Sequence, residues 1–473
     1  FMDTIKPKKG QVLELFIESL AFGGLGIARY NGQVIFVRKA IPGQVVSVMI
    51  IRRKRNYLEG RIQSIITESE SAVLVRCDHT DYCGGCAFQH LDYTRQIEEK
   101  EKQVKDLISR LGKFTDAMVY QIIGCEDQYH YRNKMEYTFS NRRFVTELDE
   151  DLPRDFALGA HVRGRFDKIF NIDTCYLQDL RCSEILQTVK KIVYDHKIEP
   201  YDILEHTGFL RYLVIRNSFE SGEIMVNLVT ARNEPVLLEP VVNTLIQEFP
   251  EVSCIINNIN SRKGGVSFGE SEQILYGKSF ITEKIGAYKF EVSANSFFQT
   301  NPRQAELLYN MIREECSLTG NEVLYDLYCG TGTIGIFLAD GAKEVIGIEL
   351  VESAVKNAVR NAELNAVNNI RFYQGDLMNF FMENNKSFQF PKPDILIIDP
   401  PRSGLHPQTV FNILELAPKR IIYVSCNPST QARDLKELCL KEYQLSHCRP
   451  IDMFPHTPHV ENIAVLNAVN EGP

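Results

Sequence analysis

From about residue 303 onward the chain alternates short apolar runs with amphipathic ones, and this alternation constrains the fold more than any other feature. A helical stretch at 303–316 is followed by VLYDLYC, IGIFLADGA, EVIGIEL, SAVKNAVRNAELNA and IRFYQGD. Then come DILIIDPP, QTVFNILELAP, RIIYVSCNP, TQARDLKELCL and an extended HVENIAVLNAV. Strands alternating with helices predict a parallel sheet wound on both faces, an α/β domain of Rossmann-like, doubly wound type. Ligands of such sheets bind beyond the carboxyl ends of the strands. The residues that close each strand are therefore the candidates for chemistry.

The first strand runs through EVLYDL into YCGTGTIG. Gly330 and Gly332 in that loop let backbone approach a ligand closely. Glu349 closes the next strand, 23 residues after Asp326, where it can accept hydrogen bonds from two ribose hydroxyls. A dinucleotide enzyme would offer the same acid, but the loop is not GxGxxG. Its acid-first order suits a cationic methyl donor without a pyrophosphate, so S-adenosylmethionine is the expected cofactor. Asp376, in YQGD at the third strand end, is expected to face the adenine amine. Each feature alone is as readily structural as functional; their succession at sequential strand ends makes the case.

The fourth strand ends in IIDPPRSGL, where Asp399-Pro400-Pro401 is similar to the DPPY motif of amino-group methyltransferases but lacks the aromatic residue. The fifth ends in IYVSCNPST, which puts Cys426 on the ligand side of the sheet. A free cysteine is by default a buried packing residue. Its place at a strand end ahead of Asn427-Pro428 argues for reactivity. Carbon 5 of uracil is a poor nucleophile toward a methyl sulfonium, and a thiolate adding to carbon 6 makes it a good one. The proton on carbon 5 must afterwards leave, so a base is required beside the thiol. HVENIAVL supplies Glu461, with His459 as the rival.

The 473 residues, 44% hydrophobic, suggest two or three domains. Residues 8–68 read as short β-branched strands broken by Gly-rich turns, a small five-stranded OB-like barrel. The formal charge of the chain is -8, which argues mildly against a nucleic-acid partner. Residues 1–70, however, hold eleven Lys/Arg against six Asp/Glu, and phosphate binding needs only a local basic face. Residues 93–112 read as an amphipathic helix, and 125–295 as a mixed α+β region with helices at 181–197 and 235–249. No apolar run reaches the ~18 residues of a membrane span, and FMDTIKPKKG lacks the apolar stretch of a secretory leader. A cytoplasmic monomer is expected.

Three of the 12 cysteines cluster as Cys77-x5-Cys83-x2-Cys86. In a cytosolic chain such a cluster points to metal rather than disulfides. Cys175, in NIDTCYLQD, is the best fourth ligand. Spacing alone leaves zinc and a four-iron cluster both open.

The motifs DPPRSGL, VSCNPST and HVEN, with SFFQTN at 296–301, resemble those of the RumA/TrmA-type RNA 5-methyluridine methyltransferases. The N-terminal barrel resembles a TRAM domain, an RNA-binding module, so the likeness spans nearly the whole chain. It implies Cys426 as nucleophile, Glu461 as base, and Gln299, Tyr328, Thr333, Glu349, Asp376 and Asp399 as cofactor contacts. It favours a [4Fe–4S] cluster on Cys77, Cys83, Cys86 and Cys175, with zinc as the alternative. Two departures are small: Asn462 stands where Thr or Ser is common, and Tyr328 where some members have Phe. The likeness implies a barrel at 1–68, a cluster-bearing central domain at 69–92 and 125–290, and a catalytic domain at 93–124 and 291–473. In this family the target base leaves its stack, and Phe297, Phe298 and Phe88 are candidate stacking partners or core residues.

The implied substrate is RNA, 23S ribosomal RNA ahead of transfer RNA. Three rival readings are an amino-group methyltransferase built on Asp399-Pro400-Pro401, a non-catalytic RNA-binding iron–sulfur protein, and a DNA cytosine methyltransferase. The last normally carries its nucleophile in a Pro-Cys loop after an earlier strand.

Overall fold

The computed structural model describes residues 7–145, 153–381 and 390–469. Its N-terminal part is a six-stranded sheet rather than the five strands expected. The order is Val12–Phe16, Val45–Arg53, Tyr57–Thr67, Gln33–Arg38, Gly26–Tyr30, Ser19–Leu20. The extra strand arises because one stretch bends at Ile17–Glu18. Its first half pairs with Val45–Arg53 and its second with Gly26–Tyr30, and Glu18 N donates to Ile27 O across the bend. The sheet thereby curls around Leu15, Ile35, Val37, Val46, Val48 and Leu58.

The central region is a seven-stranded sheet in which only Ile224–Thr230 and Val252–Ile259 run parallel. Helices Leu180–Asp195 and Glu239–Glu248 pack Ile185, Val189, Val241 and Leu245 into the core of that sheet. Both lie where the periodicity predicts helices. A hairpin, Phe280–Ile285 with Tyr288–Ser293, leads toward the last part of the chain.

That last part is the wound sheet, with eight strands. Ile370–Gln374, Glu344–Glu349, Val323–Leu327, Ile395–Ile398 and Arg420–Ser425 are parallel neighbours in that order. Glu461–Ala468 inserts antiparallel beside Arg420–Ser425, and Tyr443–Ile451 lies outside it. The strand Tyr443–Ile451 has no counterpart in the sequence reading, because its alternation is interrupted by a bulge between Leu445 and His447. Met118–Val119 adds the eighth strand at the edge.

The helix Tyr93–Arg110, capped by Asp92 accepting from Thr94 N at 2.9 Å, is a hub. Its buried face is largely polar, and its groups have partners on two sides. Glu99 accepts from Leu20 N of the barrel, and Gln103 donates to Leu20 O. Lys100 pairs with Asp452 at 2.7 Å, both nearly inaccessible, while Gln96 accepts from His456 N. Buried polar groups are tolerated where each finds a partner. The amphipathic period alone gives no hint that this helix fastens the barrel to the segment preceding Glu461.

Candidate active site

The candidate catalytic residues converge because of strand register. Arg420–Ser425 and Glu461–Ala468 pair antiparallel with Ser425 opposite Asn462. The end of one strand therefore meets the start of the other, and Cys426 and Glu461 emerge side by side. Both line a pocket of about 1080 Å³, together with Gln299, Tyr328, Gly330, Glu349 and Asp399. Asn462, the residue that departs from the family pattern, is buried and ties the two strands to the next helix: its Nδ2 donates to Gln431 Oε1 at 2.7 Å. Gln431 in turn donates to Tyr423 O and Asn462 O.

Burial, and then the charge of Asp399, push the Glu461 carboxyl up to about 8, against an opposing pull from Arg402. Asp399 itself is raised to about 7 by burial. Burial and the Glu461 charge raise the Cys426 thiol to about 11, while Arg402, which hydrogen-bonds it, pulls the other way. Cys426 also stands just before the helix Pro428–Leu438, whose N-cap is Asn427. The positive end of a helix favours a thiolate there. Arg402 is held over the thiol by its carbonyl, which accepts from Asn427 Nδ2 at 2.9 Å and Thr430 Oγ1 at 3.2 Å. The sequence reading quoted Arg402 without giving it a part. A cation directly after the two prolines of Asp399-Pro400-Pro401 was the signal, but only the tertiary contact shows what it touches.

His459, the rival base, is turned toward Arg402 and packs edge-on to Phe454. Burial and Arg402 depress it to about 4, so it is neutral at ordinary pH but does not line the pocket as Glu461 does.

On the cofactor side, Glu349 accepts from Gly330 N at 3.1 Å and from Val351 N at 2.9 Å, which fixes its carboxylate at the strand end. Gly330 and Gly332 have φ of +54° and +77°, and a Cβ on Gly332 would meet the Phe372 ring at 2.6 Å. Tyr328 holds φ +62°, a left-handed conformation costly for a bulky residue and typical of functional loops. Thr333 and Asp376 each have a hydrogen-bond partner within the chain. Thr333 Oγ1 bonds Tyr309 OH at 2.9 Å, and Asp376 Oδ1 accepts from Met378 N at 3.0 Å. Neither these two nor Gly332 is among the pocket-lining residues. Of the candidate stacking aromatics, Phe297 is 69% exposed at the pocket, whereas Phe298 and Phe88 are core residues.

The pocket suits a cationic nucleoside donor. Five carboxylates, Glu270, Glu272, Glu349, Asp399 and Glu461, line it against two cations, Lys356 and Arg402, and behind them Asp326 Oδ1 is buried without a partner. The acids outnumber the cations, so the lining favours a cationic ligand over an anionic one.

The four predicted metal cysteines are free thiols that gather around Cys86. Burial, and then the neighbouring thiols of Cys175, Cys83 and Cys77, raise Cys86 to about 12 against a hydrogen bond from Gln89. Gln89 Nε2 donates to Cys86 Sγ at 3.2 Å and Gly85 N to Cys83 Sγ at 3.3 Å. Among the described residues no group of three or more His, Cys, Asp or Glu is arranged to hold a metal ion. Zinc would draw four thiolates to about 2.3 Å from one centre, and the quartet is not so arranged.

An α/β sheet of this order carries an acid-lined pocket beyond its strand ends. The family profile described as tRNA (Uracil-5-)-methyltransferase matches residues 260–469, and that of the TRAM domain matches residues 6–62. An uncharacterized RNA methyltransferase of Chlorobaculum tepidum is 40% identical over 97% of both chains. Another, from Halalkalibacterium halodurans, is 36% identical over 98% of both. The crystal structure of the Pyrococcus abyssi tRNA (uracil-54, C5)-methyltransferase with S-adenosyl-L-homocysteine is 30% identical. It superposes with a TM-score of 0.74 over 96% of this chain and 100% of that one. The chain belongs to the RNA uracil-5-methyltransferase family and carries an N-terminal TRAM domain. No described helix is long and apolar enough to cross a membrane.

Proposed function

We propose that the protein methylates carbon 5 of a uridine in RNA through a covalent adduct with Cys426. The observation that carries this reading is the convergence of Cys426, Glu461, Asp399 and Glu349 in one pocket. The Cys426 thiolate, favoured by Arg402 and the helix N-terminus, adds to carbon 6, and the electron pair moves onto the carbon-4 oxygen. Bound S-adenosylmethionine would supply the electrophilic methyl: as the pair on the carbon-4 oxygen returns, carbon 5 bonds the methyl, its bond to sulfur breaks, and S-adenosylhomocysteine would leave. Glu461 then takes the proton from carbon 5, the carbon–sulfur bond breaks, and its electron pair returns to Cys426. A carboxyl raised toward neutrality is a fitting base for that proton. Gln299, Tyr328, Gly330 and Glu349 would hold the cofactor. Gly332, Thr333, Asp376 and Asp399 would complete that site.

In the same reading the barrel at 1–68 binds RNA, residues 69–92 and 125–290 carry a [4Fe–4S] cluster on Cys77, Cys83, Cys86 and Cys175, and 93–124 with 291–473 carry out catalysis. The cluster would stiffen the loop that meets RNA; methyl transfer needs no electron from it. Ribosomal RNA is the first substrate to test, because barrel and cysteine loop together give a wide binding face. Transfer RNA is the second reading, favoured by the likeness to the Pyrococcus abyssi enzyme.

The test is transfer of labelled methyl to unmodified 23S ribosomal RNA and transfer RNA, with nucleosides identified by mass. Wild type yielding 5-methyluridine and Cys426→Ala yielding none is the expected result. Methyl on an exocyclic amine, or persisting without Cys426, would overturn the thiolate mechanism.

A further inference from the structure

Part of the positive charge on the barrel is left without internal partners. Arg38 and Arg61 stand directly opposite each other, in register across the parallel ladder between Gln33–Arg38 and Tyr57–Thr67. Like charges so placed repel. The ion pairs of the barrel are Arg29–Glu18, Arg52–Glu59 and the outward link Lys39–Asp81; among the described residues neither Arg38 nor Arg61 has one. Both line a cleft of about 500 Å³ between the barrel and the cysteine-bearing loop. A third guanidinium, Arg163, enters the cleft from the central region, its Nη2 donating to the carbonyls of Cys83 and Cys86.

The two acids in the cleft are already engaged. Glu68 accepts from Gln44 Nε2 at 2.7 Å and Ser69 N at 2.9 Å, and Asp81 pairs with Lys39 at 2.7 Å. Another part of the lining is apolar: Ile62, Ile65, Val73 and Val75, of which Ile65 is 46% exposed. Unpaired guanidiniums beside an apolar wall are the chemistry of a phosphate and a nucleobase. The wall is also joined to the catalytic segment, since Ala87 N and Phe88 N both donate to His456 O, at 2.7 and 3.0 Å. His456 lies just ahead of Glu461.

We propose that this cleft binds one nucleotide of the RNA substrate other than the methylated uridine, its phosphate on Arg38 and Arg61 and its base against Ile65 and Val73. The inference rests on the RNA-methyltransferase reading and adds a second anchoring point to it. A free mononucleotide carries the same chemistry, and the experiment separates the two sources.

RNA binding is titrated over a range of salt for wild type, Arg38→Ala/Arg61→Ala and Arg38→Glu. The double variant is expected to bind about tenfold more weakly, with a salt slope shallower by about 1.4 for two lost contacts to single-stranded RNA. Its KM for RNA in methyl transfer is expected to rise in step. Arg38→Glu removes the repulsion with Arg61, so it is expected to weaken RNA binding while keeping or raising the melting temperature, which a folding defect would not do. Affinity and slope within twofold of wild type in both variants would overturn the proposal. So would uridine monophosphate that binds wild type, is lost in the double variant, and leaves RNA affinity unmoved. Binding is read without turnover, so a wild type that transfers no methyl sinks the methylation reading and still tests the cleft.

Discussion

Ser425 and Asn462 are register partners across two antiparallel strands, and this one pairing sets Cys426 beside Glu461. The proposed nucleophile and the proposed base thus come from the end of one strand and the start of another, with a helix and a further strand between them in sequence. Glu461→Gln keeps the shape but cannot accept the carbon-5 proton. We expect turnover to fall ~10²–10⁴-fold, the range for loss of a general base. Because the thiol still adds, a methylated RNA–protein adduct that survives denaturing gels should accumulate. Loss of turnover with no adduct would assign Glu461 to the addition step instead.

The pH profile follows from the raised acids. Glu461 must be ionised to act as base, and its carboxyl is pushed to about 8; the thiol at about 11 must also lose its proton. The kcat/KM for RNA should therefore climb through about pH 8 and keep rising above it. In Glu461→Gln the limb near 8 should vanish. A wild-type profile flat from about pH 6 to 9 would contradict the assignment.

The same groups link folding to pH. A carboxyl whose folded value lies above its unfolded one contributes stability that is present below the unfolded value and lost as pH rises through the folded value. For Glu461 and Asp399 that loss runs up to about 8 and about 7. A bound sulfonium offsets it. The rise in melting temperature on adding S-adenosylmethionine should grow between pH 6 and 8, by the coupling of ligand binding to stability. The rise with neutral S-adenosylhomocysteine should grow less, and equal growth would remove the sulfonium from the vicinity of these acids.

Lys100 and Asp452, 1% and 0% exposed, form the ion pair that anchors the helix Tyr93–Arg110 to the segment before Glu461. Removing one partner leaves a buried charge alone. Lys100→Ala should destabilise the fold by about 3–5 kcal/mol, read from denaturant unfolding. A loss under about 1 kcal/mol would mean water reaches Asp452 once the lysine is gone.

Anaerobically purified protein should be brown and carry about four irons per chain, with broad absorbance that Cys86→Ser diminishes. A colourless protein with one zinc would reverse the preference for a cluster.

What the sequence determined by itself was local. Strand–helix alternation announced the wound sheet, and the residues closing each strand marked Glu349, Asp399 and Cys426, because a parallel sheet exposes those ends to its ligand. Hydrophobic period placed the helices Leu180–Asp195 and Glu239–Glu248 to within a few residues. Only the tertiary structure decided the rest, since it depends on pairing between distant segments. Register brought Glu461 rather than His459 to the pocket, and a carbonyl contact put Arg402 over the thiol. Packing turned Phe298 and Phe88 inward and left Phe297 at the mouth. The sequence marked Tyr93–Arg110 only as an amphipathic helix, because nothing local reveals that Leu20, Asp452 and His456 converge on its buried polar face. Arg38 and Arg61 were two charges in a basic run until the parallel ladder set them side by side.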